Sequence, residues 1–133
     1  MTDNADNKPA VLVVEDDDEM AGLMQLILEG DGWTVHRAPD GKGAKELIGR
    51  LAPPALVTLD IALPDTTGED LILLVKETPG WERVPIIMVT AKPKGEDVNW
   101  AIKTGAKAYL VKPFKPEELR DCVRRVARKP AAR

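Results

Sequence analysis

Four short apolar runs in this chain each end in residues that do not belong in a hydrophobic core. Val11-Leu12-Val13-Val14 meets Glu15 and Asp16, and Ala55-Leu56-Val57-Thr58-Leu59 meets Asp60. Pro85-Ile86-Ile87-Met88-Val89 meets Thr90, and Ala108-Tyr109-Leu110-Val111 meets Lys112-Pro113. Nearly continuous apolar runs of this length read as strands covered on both faces. A carboxylate at the end of such a strand is costly unless a cation or ligand needs it, and two of these strands end that way. If all four are parallel, their C-terminal ends share the sheet edge where open α/β folds bind ligands, at the point where strand order reverses. Three carboxylates, a hydroxyl and an ammonium then meet: hard-cation ligands, a candidate nucleophile, and two groups suited to a phosphoryl oxygen.

Strand-like and helix-like stretches alternate five times, the pattern of a parallel sheet with helices on both faces. A strand over about Ala10 to Val14 is followed by a helix from the Asp17/Asp18 cap region, with Met20, Leu23, Met24, Ile27 and Leu28 at helical spacing. A second strand is predicted over about Trp33 to Arg37, and an Asp40-Gly41 turn leads to a short helix around Ala44 to Leu51. After the Asp60 strand, the loop Leu63 to Gly68 feeds a helix with Leu71, Leu74 and Val75 on its apolar stripe. A further helix covers about Glu96 to Thr104, and the final helix carries Leu119, Cys122, Val123 and Val126 on one side.

At 133 residues the chain is one domain. Its 19 Lys and Arg against 22 Asp and Glu give a net charge of −3, which points to neither nucleic acid nor an anionic membrane. No apolar run approaches a membrane span, and Met1 to Lys8 is polar rather than a signal sequence, so a cytoplasmic protein is expected. The single cysteine, Cys122, excludes an internal disulfide framework and a cysteine-based zinc cluster. The single histidine, His36, reads as an ordinary strand residue, which removes His-ligated metals and Ser-His-Asp chemistry.

Together, Glu15-Asp16, Asp60, Thr90 and Lys112-Pro113 resemble the response-regulator receiver domain of bacterial two-component signalling. The resemblance covers about Pro9 to Ala127. It implies a flavodoxin-like (βα)5 fold, doubly wound with strand order 2-1-3-4-5, over residues 9–128, with tails at 1–8 and at 129–133, the latter a tail or the start of a linker. It also implies that Asp60 accepts a phosphoryl group from a sensor histidine kinase or a histidine phosphotransfer protein. Mg2+ would be held by Asp16, Asp60, Glu15 through water, and the Ala62 backbone carbonyl. Lys112 and Thr90 would stabilise the phosphoryl oxygens. Pro113 resembles the family's cis proline, and Gly68 the glycine that lets the loop turn sharply.

Thr90 and Tyr109 resemble the family's switch pair: the threonine moves toward the phosphoryl group and the ring rotates into the vacated space. A downstream protein target would then read a face containing Val98, Ile102, Tyr109 and Val111. Ala62 and Lys92 hold the positions that, in the family, tune dephosphorylation, with Lys92 by default a solvated loop residue. Trp33 and Trp81 read as packing residues. Helical spacing turns Trp100 toward solvent, whereas the family register leaves it partly covered.

Other classes fit less well. A haloacid-dehalogenase-type phosphatase needs a second acid two residues after Asp60, where Ala62 stands, and Gly41-Lys42-Gly43 lacks the context of a phosphate loop. The basic run Arg120, Arg124, Arg125, Arg128, Lys129 and Arg133 lacks an aromatic platform or helix-turn-helix, so no direct nucleic-acid contact is expected. The remaining alternative is architectural: a receiver fragment of a longer response regulator or hybrid kinase.

Overall fold

The computed structural model describes residues 8–91, 99 and 102–127. Its strands are β1 (Ala10–Val14), β2 (Thr34–Ala38), β3 (Leu56–Asp60), β4 (Ile86–Thr90) and β5 (Ala108–Val111). The helices are α1 (Asp18–Gly30), α2 (Gly41–Arg50), α3 (Gly68–Glu77) and α4 (Pro116–Val126). Residues 102–104 are also helical, within the helix expected before β5. The five strands are parallel in the order β2-β1-β3-β4-β5, the doubly wound order that the resemblance implies. Lys92, Val98 and Trp100, together with residues 1–7 and 128–133 of the tails, lie outside the described residues.

Period-two alternation splits the apolar residues between two cores. Leu12, Val14, Val57, Leu59, Ile86 and Met88 face α2 and α3, where Ala44, Ile48, Leu71, Ile72 and Val75 meet them. Val11, Val13, Leu56, Ile87 and Val89 face α1 and α4, against Met24, Ile27, Leu28, Leu119, Cys122 and Val123. Trp81 packs in the first core and Trp33 in the second, both buried, as expected. Leu23 faces outward rather than joining the α1 stripe, and Ile72 is buried more completely than Leu74.

Two boundaries differ from the sequence reading. Strand β2 runs Thr34–Ala38, one residue later than predicted. Helix α2 begins at Gly41 rather than near Ala44, because Asp40 is its N-cap and accepts from Gly43 N at 2.7 Å. The first two amides are also satisfied: Asp65 accepts from Gly41 N at 2.7 Å and from Lys42 N at 3.0 Å. Four residues thought to form a turn and a lead-in are thereby the cap and first turn of the helix. Gly68 also differs in its reason. Its φ is not positive, but a Cβ there would sit 3.2 Å from Met88 Cε and 3.3 Å from Ile61 Cα, so close approach rather than a positive φ is what favours glycine.

Candidate functional site

Parallel pairing brings the strand ends to one edge: Val14 of β1 lies beside Leu59 of β3, Asp60 beside Val89 of β4, and Thr90 beside Val111 of β5. The residues immediately beyond or at those ends are the polar ones singled out from the sequence. Glu15, Asp16 and Asp60 each place a carboxylate oxygen within 4.8 Å of the others. Lys112 Nζ lies 2.8 Å from Glu15 Oε1 and 3.1 Å from Asp60 Oδ2, donating a hydrogen bond to the latter. The Glu15 contact is a close ion pair made off the hydrogen-bond direction, so Oε1 has no hydrogen-bond partner among the described residues.

Local bonds hold these groups in place. Glu15 Oε2 accepts from Asp17 N at 3.1 Å, and Asp17 in turn caps α1, accepting from Glu19 N and Met20 N. Asp60 Oδ1 accepts from Ala62 N at 3.0 Å, which fixes the carboxylate while Oδ2 faces Lys112. Lys112 N donates to the Thr90 carbonyl at 2.8 Å, tying the end of β5 to that of β4. The Lys112–Pro113 peptide bond is cis. Thr90 is buried at the end of β4, whereas Tyr109 is half exposed on β5 beside exposed Ile102 and Val111.

Charge is the dominant property of the cluster. Burial pushes the Glu15 carboxyl above its ordinary range and the Asp60 charge adds to this, while Lys112 and the Asp17 amide oppose it without cancelling it. Burial also works against the Lys112 ammonium, but its close contacts with Glu15 and Asp60 and their charges outweigh burial and raise its pKa. Three carboxylates against one ammonium leave two negative charges. Asp16 is exposed and makes no hydrogen bond or ion pair among the described residues. A convergent all-oxygen donor set with a residual charge of two, one member unpaired and open to solvent, fits a hard divalent cation such as Mg2+.

Two residues that sequence reasoning passed over bind the loops of this site. Arg37, the penultimate residue of β2, donates from Nε and Nη2 to the Glu15 carbonyl at 3.0 and 2.8 Å and pairs through Nη1 with Asp18 at 2.9 Å. Asp65 ties the loop after Asp60 to the start of α2. The available signal for Arg37 was its register: it pairs with Val13, two residues before Glu15. Nothing in the local sequence of Asp65 marks it as a cap for a helix 24 residues earlier.

Comparison with known proteins agrees with this architecture. The response regulator receiver domain model matches residues 11–124. An uncharacterised 14.6 kDa protein of Leptolyngbya boryana is 40% identical over 109 residues, 82% of each chain. The DNA-binding response regulator MtrA of Mycolicibacterium smegmatis is 38% identical over 82% of this chain, which spans only 46% of MtrA. Among solved structures, the chemotaxis response regulator CheY4 of Vibrio cholerae superposes with a TM-score of 0.83 at 27% identity, covering 89% of this chain and 98% of that one. The receiver domain of the sensor histidine kinase PA1611 of Pseudomonas aeruginosa, described with a magnesium ion coordinated in its active-site cleft, superposes at 0.79 with 28% identity over 89% and 96% of the two chains. With the family model spanning nearly the whole described domain and the strand order matching, the chain belongs to the response regulator receiver domain family.

Proposed function

We propose that this domain, spanning residues 9–128, is the phosphoacceptor of a two-component relay and that Asp60 takes the phosphoryl group from the phosphohistidine of a histidine kinase or phosphotransfer protein. The observation that carries the reading is the position of Asp60: one oxygen held by Ala62 N, the other bonded to Lys112, and Asp16 left unpaired within 4.8 Å. In the transfer, an Asp60 oxygen forms the new O–P bond as the P–N bond to the donor imidazole breaks, and the imidazole nitrogen keeps the electron pair. Lys112 swings its ammonium from the carboxylate to the phosphoryl oxygens. Thr90, at the neighbouring strand end, supplies its hydroxyl to the product. Asp16, Asp60, the Ala62 carbonyl and Glu15 through water are the groups that would hold Mg2+, which supplies charge neutralisation of the phosphoryl oxygens when bound.

Ala62 and Lys92 are assigned to tuning hydrolysis rather than to the transfer itself. Output is assigned to a protein target on the face containing Val98, Ile102, Tyr109 and Val111. Supporting this, Ile102, Tyr109 and Val111 are exposed along a groove of about 630 Å³. Thr90 and Tyr109 are the coupling pair. The expected setting is the cytoplasm; no helix among the described residues is long and apolar enough to cross a membrane. A second reading, a receiver fragment of a longer regulator, is favoured by one observation: the chain spans about half the length of MtrA.

The test is intact-mass analysis after incubation with a small acyl phosphate, with and without a chelator. One phosphoryl adduct that needs Mg2+ and vanishes in Asp60→Asn is expected. Labelling of Asp60→Asn at the wild-type rate overturns the assignment.

A further inference from the structure

The acidic loop between β1 and α1 is pinned to β2 through both backbone groups of Glu15. Its N–H donates to the Ala38 carbonyl at 3.0 Å, and its carbonyl accepts two bonds from the Arg37 guanidinium at 3.0 and 2.8 Å. The third guanidinium nitrogen reaches Asp18 at 2.9 Å, on the far side of Asp16. Arg37 therefore spans the short stretch that carries the unpaired carboxylate, gripping it before and after. The Asp18 arm is open to water, with the Asp18 side chain 90% exposed, so it contributes little on its own. The two bonds to the Glu15 carbonyl come from a partly covered side chain and use the planar fork that only arginine offers.

We propose that Arg37 is a positioning residue for the cation site: it bonds none of the three carboxylates of the cluster, but its clamp on the Glu15 carbonyl and on Asp18 holds the Asp16 carboxylate where a divalent cation needs it. The inference rests on the phosphoacceptor reading only in naming Mg2+ as the cation. Two effects of Arg37 on cation affinity have opposite signs. Its positive charge, near the cluster, repels a cation; its clamp reduces the freedom that the loop must lose on binding. Groups that orient a metal ligand directly are typically worth 10- to 100-fold in affinity. A clamp acting through the backbone belongs at or just below the lower end, about three- to tenfold.

Substitution separates the two effects. Arg37→Lys keeps the charge and loses the fork, and Arg37→Gln loses both. Magnesium chloride titrated calorimetrically into the full chain at fixed ionic strength, alongside thermal unfolding in chelator, should show Mg2+ affinity reduced about three- to tenfold in Arg37→Lys and by a smaller factor in Arg37→Gln, where loss of the repelling charge offsets part of the effect. A purely electrostatic role would leave Arg37→Lys unchanged and make Arg37→Gln bind more tightly. A purely architectural role would lower the unfolding midpoint and leave the affinity of the folded protein within twofold. Either result overturns the proposal. Phosphoryl labelling of the wild type read in parallel keeps the two claims apart: labelling on Asp60 with unchanged Mg2+ affinity in both variants defeats the clamp alone. Absent labelling with weakened affinity in the variants defeats the phosphoacceptor reading and leaves the clamp standing.

Discussion

Removing the Lys112 ammonium should destabilise the metal-free protein at neutral pH and progressively less as the pH falls. Lys112→Met retains the apolar stem and deletes only the charge, leaving Glu15, 1% exposed, and Asp60, 5% exposed, without their cation. Breaking a buried ion pair by deleting one partner costs about 3–5 kcal/mol in general. Here a ceiling applies, because Glu15 can take up a proton. From an ordinary pKa of 4.5, protonation at pH 7 costs about 3.4 kcal/mol, at ~1.36 kcal/mol per unit, and at pH 5.5 only about 1.4 kcal/mol. The expected loss is therefore about 2–3 kcal/mol at pH 7, or roughly 10 °C in melting temperature for a domain of this size.

The sign follows from linkage. In the variant the folded-state pKa of Glu15 is raised further above its unfolded value, so the folded state binds a proton that the unfolded state releases. Stability is then fully present below the unfolded pKa and is lost as pH rises through the folded pKa. Thermal and urea unfolding in chelator at pH 5.5 and pH 7 gives the comparison. Mg2+ should also stabilise Lys112→Met more than wild type at pH 7, since no ammonium then competes for the carboxylates it binds. A deficit under about 0.5 kcal/mol at pH 7, or one equal at both pH values, would refute the claim that Lys112 neutralises a buried Glu15.

Four further outcomes are expected. Thr58 Oγ1 is buried on the α1/α4 face of β3, the face of Leu56, with no hydrogen-bond partner among the described residues, so Thr58→Val should raise stability by about 1 kcal/mol, measured by urea unfolding. Gly22 is exposed inside α1 and a Cβ there meets nothing within 4 Å, so Gly22→Ala should raise stability by roughly 0.5–1 kcal/mol in the same assay. The Asp65 carboxyl is held below its ordinary pKa of 3.8, chiefly by the Gly41 amide; wild type should melt above Asp65→Asn at neutral pH, and the gap should close as pH falls through the depressed folded pKa. Lys92→Ala should change the decay of the phosphorylated form while leaving Mg2+ affinity nearly intact, read by mass spectrometry over time and by calorimetry.

The fold was legible because strand and helix periodicities are strong where both faces are covered: β1, β3 and β4 are buried almost throughout. The convergence of Glu15, Asp16, Asp60 and Lys112 was legible for a related reason, since parallel strands put their C-terminal ends on one edge. The start of α2 was not, because its first amides are satisfied by Asp65, which comes from the loop after β3. Local propensity sees two glycines in Gly41-Lys42-Gly43 and reads a turn; the tertiary caps decide otherwise. Arg37 was missed because an arginine on an outer strand is ordinary, and only the β1–β2 register brings its fork to the Glu15 carbonyl.

These two omissions share a physical basis. The segment from Arg37 to Lys42 contributes no group to the carboxylate cluster, yet both site loops are bonded to it. The β1–α1 loop is held at Ala38 and Arg37, and the β3–α3 loop at Gly41 and Lys42 through Asp65. The second contact is so close that a Cβ at Gly41 would collide with the Thr66 side chain. A side chain at Gly41 would therefore have to displace the loop that carries Ala62, just as loss of the Arg37 fork frees the loop that carries Asp16. The carboxylates set the chemistry, but the loops on either side of them are bonded to β2 and the head of α2. Substitutions at those remote positions should alter cation affinity before they alter the fold.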